Sequence, residues 1–362
     1  MLPAPGSRLS ALGYGSPRAG SRKPTNDSTP MNPTSGLRYQ LDLYGGLRKR
    51  NAQYSRDRDM AAAPFPRIIQ LQTINACNAA CAMCPYPVYK DVFARGRMDD
   101  ALFDRVTEEI AHYPEAKVFV PMLQNEPLLD RRIFEKVARF KATTGGRVRV
   151  ELVTNGAFLT EENVARIAAS GLDVVDVSLD ALSREVYARV RVGLDYDRVL
   201  AGVERLLAAK LPATSVFVRL VKVRDNVHEV RAFARAWRRR GVPVFMYTAN
   251  NRTGAVAGFD ETQRIPDADI PLRSRVGRRA VRALMGHCPI PFATANILHD
   301  GSLILCAHDW ARREILGNVG EATIAELWNG ERMREIRALV SERRYAEVPS
   351  CAGCSLWKDG WI

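Results

Sequence analysis

Between Ile74 and Pro87 the chain reads INACNAACAMCPYP, with Cys77, Cys81 and Cys84 at spacing C-x3-C-x2-C. One short loop so spaced can wrap a single compact inorganic core and give one thiolate to each of three metals. Thiolates suit iron–sulfur clusters or zinc. A zinc site would want a fourth protein ligand close by, and neither a fourth Cys nor a His lies near. A 4Fe–4S cluster held by three thiolates keeps one iron open for a small chelating molecule.

The rest of the chain bounds what can surround this loop. Its 362 residues are enough for one large domain and a smaller one. No run of eighteen apolar residues marks a membrane span, and the start, MLPAPGSRLSALGYG, lacks the apolar core of a signal peptide. Seven Cys is an odd count, and they sit in metal-ligand spacings rather than scattered pairs. That argues against a disulfide framework and for a reducing, cytoplasmic location. Net charge is +13, and residues 1–60 carry ten Lys/Arg against four Asp/Glu in a Gly-, Pro-, Ser- and Asn-rich setting. We read 1–60 as a basic, disordered extension, with Met31 an alternative start. The basic patches lack interleaved aromatics, which speaks against a nucleic-acid arm.

From Arg67 onward, β-rich apolar runs alternate with amphipathic stretches. Strands are expected at 67–73, 117–122, 148–154, 173–179, 215–222 and 242–248, recurring at the length of a strand–helix unit. Between them, Asp99-Asp100 opens a helix with Leu102, Phe103, Val106 and Ile110 at helical spacing. Thr160 caps another that stops at Gly171, and 195–209 and 227–240 make two more. This is an α/β pattern: six parallel strands with helices outside, two short of a closed eight-stranded barrel, hence an open, partial (βα)6 barrel. Sites in such sheets lie at the carboxyl ends of the strands. The cysteine loop follows the first strand and therefore lands on that rim.

The cysteine spacing resembles that of the radical S-adenosylmethionine (radical SAM) enzymes, whose free iron binds the amino and carboxylate groups of the cofactor's methionine part. The resemblance implies cofactor-facing roles for several strand ends. Asn125, Glu126 and Pro127 in QNEPLLD resemble the family's Gly-Gly-Glu segment, which receives the ammonium, although the first two positions are not glycine here. Thr154 and Asn155 end strand three. Ser178 and Asp180 end strand four, where they would face ribose and carboxylate, and Arg219 lies on strand five. Strand six ends in Asn251, Arg252 and Gly254, similar to an N-R-x-G segment on the substrate side of relatives. Arg252 is the candidate catalytic residue, since a guanidinium offers fixed donors and keeps its charge. Bland readings compete at each position: helix-start carboxylate, turn-capping Ser or Asp, surface Arg.

Residues 261–285 read as a linker with a basic surface helix, RSRVGRRAVR, leaving 61–260 for the barrel and 286–362 for a small α+β domain. There Cys288 and Cys306 flank TANILH and SLILC, joined by Asp300-Gly301 as a hairpin, and Cys351-x2-Cys354 forms a knuckle. Four thiolates could hold zinc. The order of hairpin, Gly301, Cys306, the Leu316-Gly317-Asn318 turn, a WN-containing helix and CxxC resembles the auxiliary-cluster "twitch" or shortened SPASM domain of radical SAM enzymes. That resemblance implies a second 4Fe–4S cluster with all four ligands from protein, two clusters in all with S-adenosylmethionine, and an electron donor of flavodoxin or ferredoxin type. No His pair stands at i, i+3 or i, i+4. His308-Asp309 reads as a supporting pair, and Trp310, Trp328, Trp357 and Trp361 as packing for the small domain.

If the resemblance holds, a 5′-deoxyadenosyl radical removes a hydrogen from the substrate. All seven Cys are assigned to clusters, so no thiol is spare to return one, as an epimerase would need. A fully ligated second cluster can accept an electron. The expected reaction is therefore oxidation of an alcohol carbon of a small polar substrate, aminocyclitol or sugar-like, to a ketone, as in antibiotic-pathway dehydrogenases. The alternatives are an epimerase or peptide-modifying enzyme and, in another class, a zinc-stabilised nucleic-acid-binding protein.

Overall fold

Apolar runs long enough to be covered on both faces form the strands of the structure, a computed structural model describing residues 63–266, 269–270 and 287–356. The 1–60 extension, the RSRVGRRAVR helix, Trp357 and Trp361 lie outside the described residues. The first six strands fall inside the expected runs. They are β1 (Ile68–Leu71), β2 (Val118–Val120), β3 (Arg149–Thr154), β4 (Val174–Ser178), β5 (Ser215–Lys222) and β6 (Val244–Thr248), each parallel to the next. β4, VVDVS, is buried along its whole length, as a strand covered on both faces must be.

Side-chain caps set where the covering helices begin. Asp99 accepts from the backbone N–H groups of Ala101 (2.8 Å) and Leu102 (3.3 Å), opening the helix Asp100–His112, which buries Phe103, Val106 and Ile110. Thr160 caps Glu161–Ser170, which ends at Gly171 in the left-handed region (φ 78°), and Asp195 caps Tyr196–Ala208. Among the described residues no helix is long and apolar enough to cross a membrane.

The hairpin forms at Asp300-Gly301, between β7 (Thr294–Ile297) and β8 (Ser302–Ile304), and β9 (Ile315–Asn318) follows it. Its position is the surprise. β7 also pairs in parallel with β1, from Ile68↔Thr294 to Leu71↔Ile297, so one nine-stranded sheet runs β6-β5-β4-β3-β2-β1-β7-β8-β9. Without it β1 would expose an edge of unpaired backbone groups, and β7, buried at all four residues, suits the inside position.

Beyond the sheet, Phe292, Leu305, Trp328, Met333, Ile336 and Val340 form a second core, with Cys288, Cys306, Cys351 and Cys354 packed into it. Trp328 is fully buried there; its indole N–H donates to the Ala63 carbonyl (2.9 Å) and Arg337 lies over its ring. Trp310 departs from expectation. It leaves this core and packs with Tyr86 and Ala255 against Cys77 and Cys84, because the chain after Cys306 turns back over the first cysteine loop.

Candidate functional site

The loop after β1 is fastened by its own backbone. Ala80 N–H donates to the Val192 carbonyl (2.8 Å), Ala82 N–H to the Val190 carbonyl (3.1 Å), and Glu126 N–H to the Ala76 carbonyl (2.9 Å). Asn155 Nδ2 donates to Asn78 Oδ1 (2.8 Å), tying the loop to the end of β3. Cys81 is buried, Cys77 and Cys84 half-buried. Burial, with the companion thiols adding to it, pushes the Cys77 thiol up to about 12 and Cys84 up to about 11, so the three share one neighbourhood. All three open on a cavity of about 410 Å³ enclosed by the sheet and its rim.

Every cofactor-facing residue expected from sequence lines this cavity except Pro127. Pro127 is buried at the start of a single 3₁₀ turn, Pro127–Leu129, where its missing N–H costs nothing. Glu126, 2% exposed, is already bonded within the protein: its carboxylate accepts from Thr154 Oγ1 (2.7 Å), Asn155 N (2.7 Å) and Leu128 N (3.1 Å). Burial raises its pKa while those bonds oppose the rise. Asn125 accepts from Leu123 N through Oδ1 (2.8 Å), and its buried Nδ2 has no protein partner. Ser178 is buried on the cavity wall. Arg219 donates through Nε to Asp176 Oδ2 (2.9 Å) and lies over the Tyr247 ring.

Asp180 is fully buried at φ 60°, with Oδ1 accepting from Val221 N (2.6 Å). Its partner was not found from sequence: Arg191 meets Asp180 at 2.5 Å and also donates to Cys81 Sγ (3.4 Å). Burial raises the Asp180 carboxyl, and the Arg191 charge pulls it back. Nothing local set Arg191 apart from the other arginines; only the φ of Gly193 (86°) two residues on marks the tight return over the loop.

Arg252, the expected catalytic residue, reaches the cavity wall and also forms a seam. Its Nη1 meets His308 Nδ1 at 2.7 Å. A guanidinium only donates, so Nδ1 accepts and Nε2 carries the hydrogen. Burial, with the Arg252 charge behind it, holds His308 far below its ordinary pKa, so the ring is neutral and a poor proton acceptor. Burial also lowers Arg252, opposed by the thiols of Cys84, Cys306 and Cys354, members of both cysteine sets. Around it, Asn251 Nδ2 donates to the Gly353 carbonyl (2.6 Å), Ser355 N–H to Asn251 Oδ1 (2.9 Å), and Thr253 Oγ1 to the His308 carbonyl (3.0 Å). From the other side Gln124 Nε2 donates to the carbonyls of Ala307 (3.0 Å) and Asp309 (3.4 Å). Gln124 (φ 58°), Arg252 (48°) and Thr253 (57°) all hold left-handed backbone. Such strain is kept where surrounding bonds over-determine it.

The second set of thiols stands off the cavity. Cys288 N–H meets Tyr345 Oη (3.1 Å), His308 N–H meets Cys306 Sγ (3.4 Å), and Cys354 N–H donates to the Cys351 carbonyl (3.0 Å). Burial raises Cys288 and Cys306 well above the usual thiol value and Cys351 to about 12, with the other thiols of the set adding to each. Among the described residues no three His, Cys, Asp or Glu are placed to hold one metal ion, as a closed zinc site requires. A four-iron cluster makes a different demand, one thiolate for each iron, and two sets of neighbouring, buried or half-buried thiols suit that donor chemistry.

Comparison with known proteins agrees. Residues 71–249 match the Radical SAM superfamily, and residues 288–355 match SPASM, an iron–sulfur cluster-binding domain. The S-adenosyl-L-methionine-dependent 2-deoxy-scyllo-inosamine dehydrogenase of Niallia circulans is 22% identical over 80% of this chain and 92% of its own length. The tungsten-containing aldehyde ferredoxin oxidoreductase cofactor-modifying protein of Pyrococcus furiosus is also 22% identical, over 80% and 87%. Among solved structures, BtrN in complex with AdoMet and 2-DOIA superposes with a TM-score of 0.57 at 19% identity, covering 80% of this chain and 93% of that one. Native anSMEcpe with bound AdoMet gives 0.58 at 16%, over 80% and 89%. At such identities these structures speak for the fold alone. The chain thus belongs to the radical SAM superfamily, with a C-terminal SPASM domain, and binds S-adenosylmethionine and 4Fe–4S clusters.

Proposed function

We propose that this enzyme oxidises an alcohol carbon of a small polar substrate to a ketone. Cys77, Cys81 and Cys84 would hold the cluster that meets S-adenosylmethionine, and Cys288, Cys306, Cys351 and Cys354 the second. Asn125, Glu126, Thr154, Asn155, Ser178, Asp180 and Arg219 would shape the cofactor bed. Domain limits of 61–260 and 286–362 follow the same reading, as do a flavodoxin- or ferredoxin-type donor and a reducing compartment. When bound, S-adenosylmethionine with the first cluster would supply the hydrogen-atom acceptor, and the second cluster would supply a one-electron acceptor.

The observation that carries the proposal is Arg252. It lines the cavity and feels thiols of both sets. A hydroxyl losing its proton there would meet a fixed cation, which lowers the energy of the developing oxyanion. Arg252 is poorly suited to take the proton itself, and His308, held neutral with Nδ1 engaged, is no better. Glu126–Thr154–Asn155 and Asp180–Arg191 hold the surrounding walls. A cavity of about 410 Å³ is of the size that holds small ligands. Support also comes from the inosamine dehydrogenase relative, aligned over 80% of this chain.

The test supplies an alcohol deuterated at the reacting carbon. Oxidation places deuterium in 5′-deoxyadenosine, uses one S-adenosylmethionine per turnover and, from unlabelled alcohol, gives a product two mass units lighter. Solvent deuterium in a product of unchanged formula would mean epimerisation instead.

A further inference from the structure

The rim accounts for the upper half of the cavity and leaves its depth unexplained. Side chains alternate along a strand, so on β4 Asp176 lies on the same face as Ser178, one step further from the rim. Asp176 is 3% exposed; Arg219 occupies its Oδ2, and Oδ1 is buried with no protein partner. On β7, the strand added beside β1, Asn296 is fully buried and Thr294 is 5% exposed. Asn296 spends its Nδ2 on the Leu305 carbonyl (3.2 Å), leaving Oδ1 without a partner, and Thr294 Oγ1 has none either. All three residues line the same cavity. Burying an unmet polar atom is costly, and three around one cavity point to a ligand that completes them.

The chemistry of that ligand follows from what is missing. Asp176 Oδ1 and Asn296 Oδ1 can only accept, so the ligand brings hydrogen donors. Charge decides between hydroxyl and ammonium. Asp176 is already balanced by Arg219, Asp180 by Arg191 and Glu151 by Arg149, and the two other charged side chains on the lining, Glu126 and Arg252, are of opposite sign. A lining whose charges are matched within the protein suits a neutral hydroxyl, which needs no counter-charge, better than an ammonium. Between these polar groups the lining turns apolar, with Ile68, Val118 and Val120 in one cluster and Val174, Phe217 and Phe245 in another. Alternating polar and apolar walls match a saturated ring whose faces are C–H and whose rim is O–H.

We propose that Asp176, Thr294 and Asn296 form a subsite for the non-reacting hydroxyls of a neutral ring polyol, and that the subsite discriminates against an amino group in their place. This rests on the alcohol-oxidation reading and specifies its substrate. It also gives the C-terminal part of the chain a direct share in substrate recognition through β7.

The experiment measures binding without turnover. Enzyme with both clusters and S-adenosylmethionine, but no reductant, is titrated calorimetrically with a panel of neutral ring polyols (myo-inositol, scyllo-inositol, methyl glucoside), their monodeoxy analogues and an inosamine. At least one polyol should bind, its deoxy analogues about ten-fold or more weakly, and the inosamine more weakly than its parent. Thr294→Val should weaken the polyol about ten-fold and leave S-adenosylmethionine affinity and melting temperature unchanged. Asp176→Asn should do the same to polyol binding, with a lower melting temperature because Arg219 loses its charge partner. The subsite is overturned if no polyol binds, if the inosamine binds ten-fold more tightly than its parent, or if Thr294→Val binds polyol as the parent enzyme does. Polyols that bind normally but are never oxidised would sink the dehydrogenase reading and leave the subsite standing.

Discussion

The two cysteine sets solve the same ligand problem in opposite ways. The first lies within eight residues on one loop and opens on the cavity. The second is gathered from three segments between Cys288 and Cys354, does not line the cavity itself, and is packed into its own apolar core. Ligands from one loop can hold an inorganic group while leaving a side of it to a small molecule. Ligands from dispersed segments make the group a staple, because losing it frees several pieces of chain at once. Between them run Arg252 and His308, belonging to neither set and touching the surroundings of both.

The largest expected effect tests that contrast directly. From roughly eight irons in the loaded enzyme, Cys81→Ala and Cys306→Ala should each lose about half. Cys81→Ala should abolish cleavage of S-adenosylmethionine with a modest change in melting temperature. Cys306→Ala should keep cleavage, lose ketone and melt well below the parent; equal melting temperatures would erase the distinction. Next, Arg252→Lys keeps the charge but not the planar fork. Ketone formation should fall about 10–100-fold, while 5′-deoxyadenosine formation stays within a few-fold; if both fall together, Arg252 serves the first set alone.

Gln124→Gly sharpens the comparison more gently. It relieves left-handed strain of about 1 kcal/mol and removes the amide bonds to Ala307 and Asp309, worth about 1 kcal/mol in total. Stability should barely move, yet ketone formed per S-adenosylmethionine consumed should drop a few-fold, because the loop beside Cys306 loses its tie to the rim. Smallest is a change remote from both sets. Lys136, buried at 1% exposure, bonds Asp100 and holds its carboxyl below the usual range. The folded pKa is the lower one, so this stability is present above about pH 4, the unfolded value, and is lost as pH falls through the folded value. Asp100→Asn should cost about 1 kcal/mol at neutral pH, flatten acid unfolding in that window, and leave both iron contents intact.

Much of this was legible because the signals are local. Asp99, Thr160 and Asp195 cap their helices where a short polar side chain precedes an apolar rhythm. The six barrel strands show as β-rich apolar runs, and spacing grouped the first three cysteines, while the hairpin and a family resemblance grouped the other four. What escaped reading was non-local. The hairpin at Asp300-Gly301 reveals that β7 and β8 are neighbours, but nothing in TANI says that its other edge meets β1. Arg191 is one of many arginines until the fold brings Cys81 and Asp180 to it. Pro127 was taken into the cofactor bed with Glu126, yet the 3₁₀ turn that begins there buries it behind the wall. Trp310 was assigned to the wrong core because only three residues separate it from Cys306 of that core, while the chain reverses over the first loop.

The pairing of β1 with β7 reaches into biosynthesis. The first barrel strand, IIQL, waits for a partner made far later in the chain. Until then its open edge, bordered by an apolar cavity floor, is a template for pairing with other nascent chains. A fragment ending after β6, the obvious choice for isolating the barrel, would carry that edge permanently and aggregate. What looks like an accessory at the C-terminus is also the cover of the barrel's first edge.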